Sequence, residues 1–208
     1  MSTNDLAYVS VIERYSNTLA HKVNIHMGKD GIEFEKLKLG ITIILINISK
    51  LIAVLMVAIL MGVLPESILS IIVYSLLRRY SFGIHAPKDY ICTIVTIVIH
   101  VGTGMLSSKL ILNNFIVLSW FFVLTMLIYK YAPADTKKRP ILGKDNRQAL
   151  RRKSTLTIIA IAIIAIVSSN NLVKNILLLA SLLQTITILP ITYKLSGEGY
   201  KNYEKYEG

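Results

Sequence analysis

The chain has 208 residues, 53% of them apolar and only 17% charged, with a mean hydropathy of +0.57 and a formal charge of +11. Those values exclude an ordinary water-soluble surface, and the length leaves little room for a separate soluble domain beside a membrane part. The apolar residues fall in long runs, so the chain reads as an all-α polytopic membrane protein.

In chain order, Leu6, Val9, Ile12, Leu19 and Val23 recur at helical spacing among Asp5, Glu13, Arg14, Asn17 and Lys22, which predicts an amphipathic helix. Its end falls near the Met27-Gly28-Lys29-Asp30-Gly31 break. Residues 1–39 then form a cytoplasmic or interfacial region, flat on the membrane or packed under a bundle; a scaffold role fits as well as substrate docking. The first apolar run begins near residue 40 after a charged stretch, unlike a cleavable signal, so the first long helix is expected to stay in the protein.

The strong runs are 40–64, 90–106, 111–129, 155–169 and 176–191. With flanking Tyr, Ser and Thr they approach the roughly 20 residues that cross a hydrocarbon core of about 30 Å. A sixth run, 66–77, is weaker and reads equally as a re-entrant or interfacial segment. The expectation is a transmembrane helical bundle over residues 40–193, with about six membrane segments or four plus re-entrant segments.

Charge supplies the topology. Between Asp135 and Lys153 stand eight basic residues (Lys137, Lys138, Arg139, Lys144, Arg147, Arg151, Arg152, Lys153) against two acids, Asp135 and Asp145, which predicts a cytoplasmic loop at 132–154. With six crossings and both termini inside, Lys109 and Lys174 occupy outer loops, Lys50 lies in a span, and the other 20 of 23 basic residues are cytoplasmic. The tail, 194–208, shows no apolar face and reads as solvated and cytoplasmic. Lys50 either snorkels or pairs inside the bundle, and an intramembrane charge is a functional candidate by default. His100 and Lys130 read as structural. The sequence has no internal repeat, no Gly-rich phosphate loop and no Cys/His set with metal-ligand spacing.

One stretch concentrates reactive residue types: Arg78-Arg79-Tyr80-Ser81-Phe82-Gly83-Ile84-His85-Ala86-Pro87-Lys88-Asp89-Tyr90-Ile91-Cys92. It holds the only cysteine and one of four histidines, seven positions apart. A lone cysteine excludes an intramolecular disulfide and leaves a buried hydrophobe, an acylation site or a nucleophile; spacing alone favours the hydrophobe. On one continuous helix the two residues would stand about 10.5 Å apart along the axis, too far to bond. Pro87, however, pushes Ala86 out of the helical region and tends to start a helix. With Asp89 as N-cap, Cys92 becomes the third helical residue, where free N–H groups and the positive helix end favour a thiolate. His85 then lies on the preceding loop, free to fold back toward the sulfur, and Gly83 permits unusual backbone there. In that arrangement His85 takes the thiol proton, Cys92 attacks a carbonyl, and the imidazolium protonates the leaving amine. Asp89 is also a candidate third residue. Arg78 reads as an anchor for an acidic substrate group or lipid phosphate, or equally as a positive-inside flank.

At these residues the sequence resembles the accessory gene regulator B (AgrB) family of Gram-positive bacteria. Arg78, Gly83, His85-Ala86 and Cys92 occupy the places of the family's arginine, glycine, histidine with a small residue, and cysteine. Tyr131-Ala132-Pro133-Ala134-Asp135-Thr136-Lys137-Lys138-Arg139-Pro140-Ile141 is similar to the family's hallmark segment between spans. The resemblance covers nearly the whole chain. One departure is that some relatives carry paired glycines before the histidine, where this chain has Phe82 before Gly83.

The resemblance implies a cell-membrane cysteine endopeptidase acting on a small precursor peptide, AgrD, in quorum sensing, with its site on the cytoplasmic side. The enzyme removes the precursor's C-terminal segment and holds the rest as a thioester, and an internal Cys or Ser of the peptide closes a thiolactone or lactone ring. Cys92 is then the nucleophile and His85 the general base, with Arg78, Gly83 and Asp89 in support. The family also implies a homodimer, no metal or organic cofactor, and no nucleic-acid partner. Lys137, Lys138 and Arg139 are candidates to bind an acidic precursor tail, with topology alone as the competing role. Pro133-Ala134-Asp135 reads either as a turn in which Asp135 caps the next element or, by the resemblance, as part of the peptide groove. A small transporter or a noncatalytic scaffold are the rival classes. Cys92→Ala separates them, since it abolishes cleavage only in an enzyme.

Overall fold

The computed structural model describes residues 3–84, 89–137 and 139–207, with side chains described from residue 13 onward and Asp89 described in its backbone alone. Among the described residues the chain forms α1 (Thr3–Met27), α2 (Gly31–Leu60), α3 (Leu64–Ser81), α4 (Asp89–Ser107), α5 (Asn114–Tyr131), α6 (Lys144–Val167), α7 (Asn171–Ile186), α8 (Pro190–Ser196) and α9 (Glu204–Glu207). The only sheet-like pairings among them are two isolated bridges, Phe82 with Ala134 and Thr136 with Arg139. The chain is all-α, and it divides into two units, Met1–Met56 and Val57–Gly208.

In the first unit α1 stops at the expected break. Gly28 and Gly31 both take left-handed backbone, at φ +59° and +54°. Asn24 closes the turn, its Nδ2 donating to the Lys29 carbonyl at 2.8 Å while its Oδ1 accepts from the Lys29 N–H at 2.9 Å. The described part of α1 buries Ser16 and Ala20, whereas Leu19 remains 42% exposed. The buried stripe is thus made of small residues and does not follow the Leu19 positions of the amphipathic pattern; Leu6, Val9 and Ile12 fall among the undescribed side chains.

The second unit is organised around α7, which touches α3, α4, α5 and α6. The strongest seam, α5 on α6, follows from spacing: α5 buries Val117, Phe121, Leu124 and Ile128, and α6 buries Ser154, Ile158, Ile161 and Ala165. Both sets step by four, three and four, the period that keeps one stripe of a helix facing a partner. The outer faces are apolar as well: Phe115, Phe122, Met126 and Tyr129 are more than half exposed. Apolar side chains on the outer faces as well as in the seam are the pattern of helices packed in lipid, where van der Waals packing and interhelical hydrogen bonds drive association.

Among the described residues, three helices are long and apolar enough to cross a membrane: α2, α4 from Tyr90, and α5. The pair α7 and α8, bent by 60°, makes a fourth if it counts as one span. About six segments, or four plus re-entrant ones, were expected. The remaining two runs are helices of another composition. In α6 the apolar run 155–169 is preceded in the same helix by Arg147, Arg151, Arg152 and Lys153, and α3 carries Glu66, Arg78 and Arg79. The basic segment expected to be a loop at 132–154 is therefore helical from Lys144 onward. The run 176–191 is also broken, since Pro190 starts α8 and leaves extended backbone at Leu189 (ψ 140°).

The tail departs most from expectation. Tyr193 and Asn202 are buried, and Tyr193 packs edge-on against Tyr200 with centroids 5.4 Å apart. Asp135 is 5% exposed and its carboxylate accepts the N–H of Asn202 at 3.0 Å and of Tyr203 at 2.8 Å. Glu207 pairs with Arg147 at 2.8 Å and accepts the Gly143 N–H at 2.6 Å. The segment is docked, not free in solvent, because the cations of α6 and the hallmark segment supply partners that its own composition does not reveal.

Candidate functional site

The segment 81–84 leaves α3 with Phe82 at φ +57°, ψ −130° and Gly83 at φ +116°. Three distant parts of the chain hold it. Gly83 N–H donates to the Ala134 carbonyl at 3.0 Å, and Ala134 N–H returns a bond to the Ser81 carbonyl at 2.9 Å. Ile84 N–H donates to the Thr187 carbonyl at 3.2 Å, at the break between α7 and α8. Gln184 Nε2, on the last turn of α7, donates to Ser81 Oγ at 2.9 Å and to the Phe82 carbonyl at 2.7 Å. Glycine is required at position 83, because a Cβ there would stand 2.5 Å from Thr187 Oγ1 on backbone that L side chains rarely adopt.

Arg78 points into the protein. Its Nη2 donates to the Ile84 carbonyl at 2.6 Å, and its Nη1 donates to Tyr74 Oη at 3.0 Å and Gln184 Oε1 at 3.4 Å. In the structure the guanidinium bonds protein groups, where the sequence suggested either an anchor for a substrate or lipid anion or a positive-inside flank. The polar chain continues inward, as Tyr74 packs edge-on against His100 at 5.3 Å and His100 Nδ1 lies 2.9 Å from Ser70 Oγ.

Cys92 stands half-buried in the first described turn of α4, and its carbonyl accepts from Thr96 Oγ1 at 2.7 Å. Asp89, expected as the helix cap, is itself helical. His85 and Lys138 lie outside the described residues. Lys137 is exposed and donates to the Gly197 carbonyl at 3.1 Å, and the exposed Arg139 lies 5.3 Å over the Phe82 ring. The structure therefore brings Arg78, Gly83 and the hallmark segment together. It adds Gln184 and Thr187, which the sequence reading passed over. Their one advance signal was an amide and hydroxyls inside an otherwise apolar run.

Behind Ala134 lies a cavity of about 60 Å³ walled by Tyr131, Asp135, Arg147, Arg151, Tyr200 and Tyr203, among others. Arg151 Nε donates to the Ala132 carbonyl at 2.9 Å, on the residue joined to Pro133 by a cis peptide bond. Burial, as the main cause, raises the Tyr200 phenol above its ordinary range. Hydrogen bonds from Arg147 and then from the Gly143 N–H lower the Glu207 carboxyl. Among the described residues no group of three or more His, Cys, Asp or Glu is placed to hold a metal ion.

These features define a polytopic helical membrane protein in which Arg78, Gly83 and the 131–141 segment converge at a helix end. A model of the family described as accessory gene regulator B matches residues 12–188. A putative AgrB-like protein of Clostridium acetobutylicum is 37% identical over 198 residues, 95% of each chain. One from Listeria monocytogenes serotype 4a is 35% identical over 205 residues, 99% of this chain and all of the relative. Accessory gene regulator protein B of Staphylococcus epidermidis is 33% identical over 184 residues, 88% of this chain and 91% of the relative. No solved structure matches. The chain belongs to the accessory gene regulator B family, and with it to the agr system of quorum sensing.

Proposed function

We propose that this protein is a membrane cysteine endopeptidase that processes an AgrD-like precursor peptide into a macrocyclic signal. The observation that carries the reading is the immobilised segment 81–84, bonded to 134, 184 and 187, which runs directly into His85 in sequence while α4 offers Cys92 in its first described turn. A base and a nucleophile must be held in register to within tenths of an ångström, and fixing the backbone beside one of them is how a fold achieves this.

His85 takes the proton of the Cys92 thiol, and the sulfur adds to the scissile carbonyl of the precursor. The imidazolium then protonates the departing amine, releasing the C-terminal segment and leaving a thioester on Cys92. An internal Cys or Ser of the bound peptide attacks that thioester, passing its proton to His85, and the collapse closes a thiolactone or lactone and restores the Cys92 thiol. Intramolecular attack outcompetes water because the nucleophile is already on the bound chain and a membrane-interface site is poor in water. Backbone N–H groups at the start of α4 are the candidate oxyanion donors. Arg78 and Gly83 support the site through the segment they hold.

The site and both termini are assigned to the cytoplasmic face on the basic-residue distribution, and the membrane to a Gram-positive cell as the family implies. Lys137, Lys138 and Arg139 receive an acidic precursor tail, and the enzyme works as a homodimer, as the family implies. Neutralising the three cations without loss of processing removes the docking role.

The test is reconstitution in lipid vesicles with a candidate precursor, reading the mass of Cys92. An acyl adduct formed by the wild type and lost in His85→Ala and Cys92→Ala supports the mechanism. Cleavage that survives Cys92→Ala refutes it.

A further inference from the structure

We infer that Gln184 is a positioning residue for this reaction, fixing with Arg78 the backbone that leads into His85. The inference rests on the reading of His85 as the base of Cys92.

Gln184 is fully buried in α7, where an unpaired amide would be strongly disfavoured. Its bonds all go to one place. Both donor contacts reach the 81–84 segment, at Ser81 Oγ (2.9 Å) and the Phe82 carbonyl (2.7 Å), while its Oε1 accepts from Arg78 at 3.4 Å. Arg78 completes the loop by donating to the Ile84 carbonyl at 2.6 Å.

The carbonyl that Gln184 grips belongs to the strained residue. Phe82, at φ +57° and ψ −130°, holds a conformation that a non-glycine residue keeps only when its surroundings enforce it. The amide of Gln184 and the guanidinium of Arg78 hold alternate carbonyls of the segment, those of Phe82 and Ile84, and they also bind each other. A glutamine that merely satisfied itself in a bundle core would bond helical groups alone. This one bonds Arg78 and Ser81 on α3 and also places a donor on the Phe82 carbonyl, past the helix end and three residues before His85.

Because Cys92 is the only cysteine, its alkylation by iodoacetamide, followed by mass spectrometry of the fragment that contains it, tests the arrangement without any peptide. The readout on the full chain in vesicles is the alkylation rate near neutral pH divided by the rate at alkaline pH, where the thiol ionises unaided. That ratio cancels accessibility. His85→Ala should lower it, and Gln184→Met should lower it about tenfold, with the alkaline rate unchanged. Arg78→Met combined with Gln184→Met should be no worse than Arg78→Met alone, since both act on one segment. Gln184→Glu, which keeps the size and offers Arg78 a partner but no donor to the Phe82 carbonyl, should fall likewise and serves if the methionine variant does not fold. A wild-type ratio in the Gln184 variants, alongside a lowered one in His85→Ala, overturns the positioning role and leaves the peptidase reading intact. A wild-type ratio in His85→Ala itself overturns the Cys–His reading and this inference with it.

Discussion

Replacing Gly83 by alanine tests the reasoning about the site in a single methyl group. The added Cβ would stand 2.5 Å from Thr187 Oγ1, 3.1 Å from the Thr187 carbonyl oxygen and 3.2 Å from Thr187 Cβ. Non-bonded heavy atoms settle near 3.5–4.0 Å, so segment 81–84 and the α7–α8 break must part by roughly 1 Å. That movement stretches the 3.2 Å bond from Ile84 N–H to the Thr187 carbonyl out of bonding range. Its loss costs about 1 kcal/mol, and the φ of +116° costs an alanine about 1–3 kcal/mol more. A shift of about 1 Å beside a reacting group costs on the order of 100-fold in rate. Single-turnover formation of the Cys92 adduct, followed by mass spectrometry in vesicles, should fall by that factor while the bundle still unfolds cooperatively. Adding Thr187→Ala removes the nearest clashing atom but neither the carbonyl contact nor the positive φ, so it should restore part of the rate. Wild-type acylation in Gly83→Ala would refute the claim that this close approach positions the site.

Phe121 is 1% exposed and Phe122 is 64% exposed, so Phe121→Ala should destabilise the detergent-solubilised protein by about 3–5 kcal/mol and Phe122→Ala by far less; equal shifts in unfolding midpoint would contradict the α5–α6 seam. Asp135→Asn puts an amide donor where two backbone N–H groups now meet a carboxylate, which should weaken tail docking by about 1.5–3 kcal/mol and speed tryptic cleavage at Lys201. Unchanged cleavage would show that the tail is held by other means. The Glu207 carboxyl is lowered by Arg147 and Gly143, so its contribution to docking is complete above the ordinary carboxylate value of 4.5 and disappears as pH falls below it through the folded value. Protection of the amides of residues 204–207 against hydrogen exchange, relative to their intrinsic rates at each pH, should therefore be constant near neutrality and fall only in acid, with the acid step missing in Glu207→Gln.

What the sequence made legible was local. The apolar run after Asp89 indicated a helix through Cys92, and α4 covers it, while the start assigned to Pro87 lies outside the described residues. The glycines at 28 and 31 marked the end of α1, and both have positive φ. Pro190 was equally informative but lay inside a run taken as one span, where hydropathy outweighed the backbone restriction before a proline. The convergence of 81–84 with 134, 184 and 187 was not legible, because the hydrogen bonds cross up to 103 positions of sequence and no periodicity encodes such partners. Nor was the docked tail: its acids and backbone N–H groups are ordinary by composition, and their partners Arg147 and Asp135 lie some 60 residues earlier. Arg78 shows the same limit. A basic residue at a helix end suits the positive-inside rule whether or not its guanidinium turns inward.

The order in which the chain is made gives the hub helix a further meaning. Ribosomes deliver α3, α4, α5 and α6 first, and α7 is the member that touches all four. The nascent chain thus carries Arg78, Gly83, Cys92 and Ala134 well before Gln184 and Thr187 arrive to close the segment between them. Domains consolidate as their last required element emerges. Assembly of the site waits for α7, so a chain stalled or cut before α7 keeps its thiol but lacks the frame built around it.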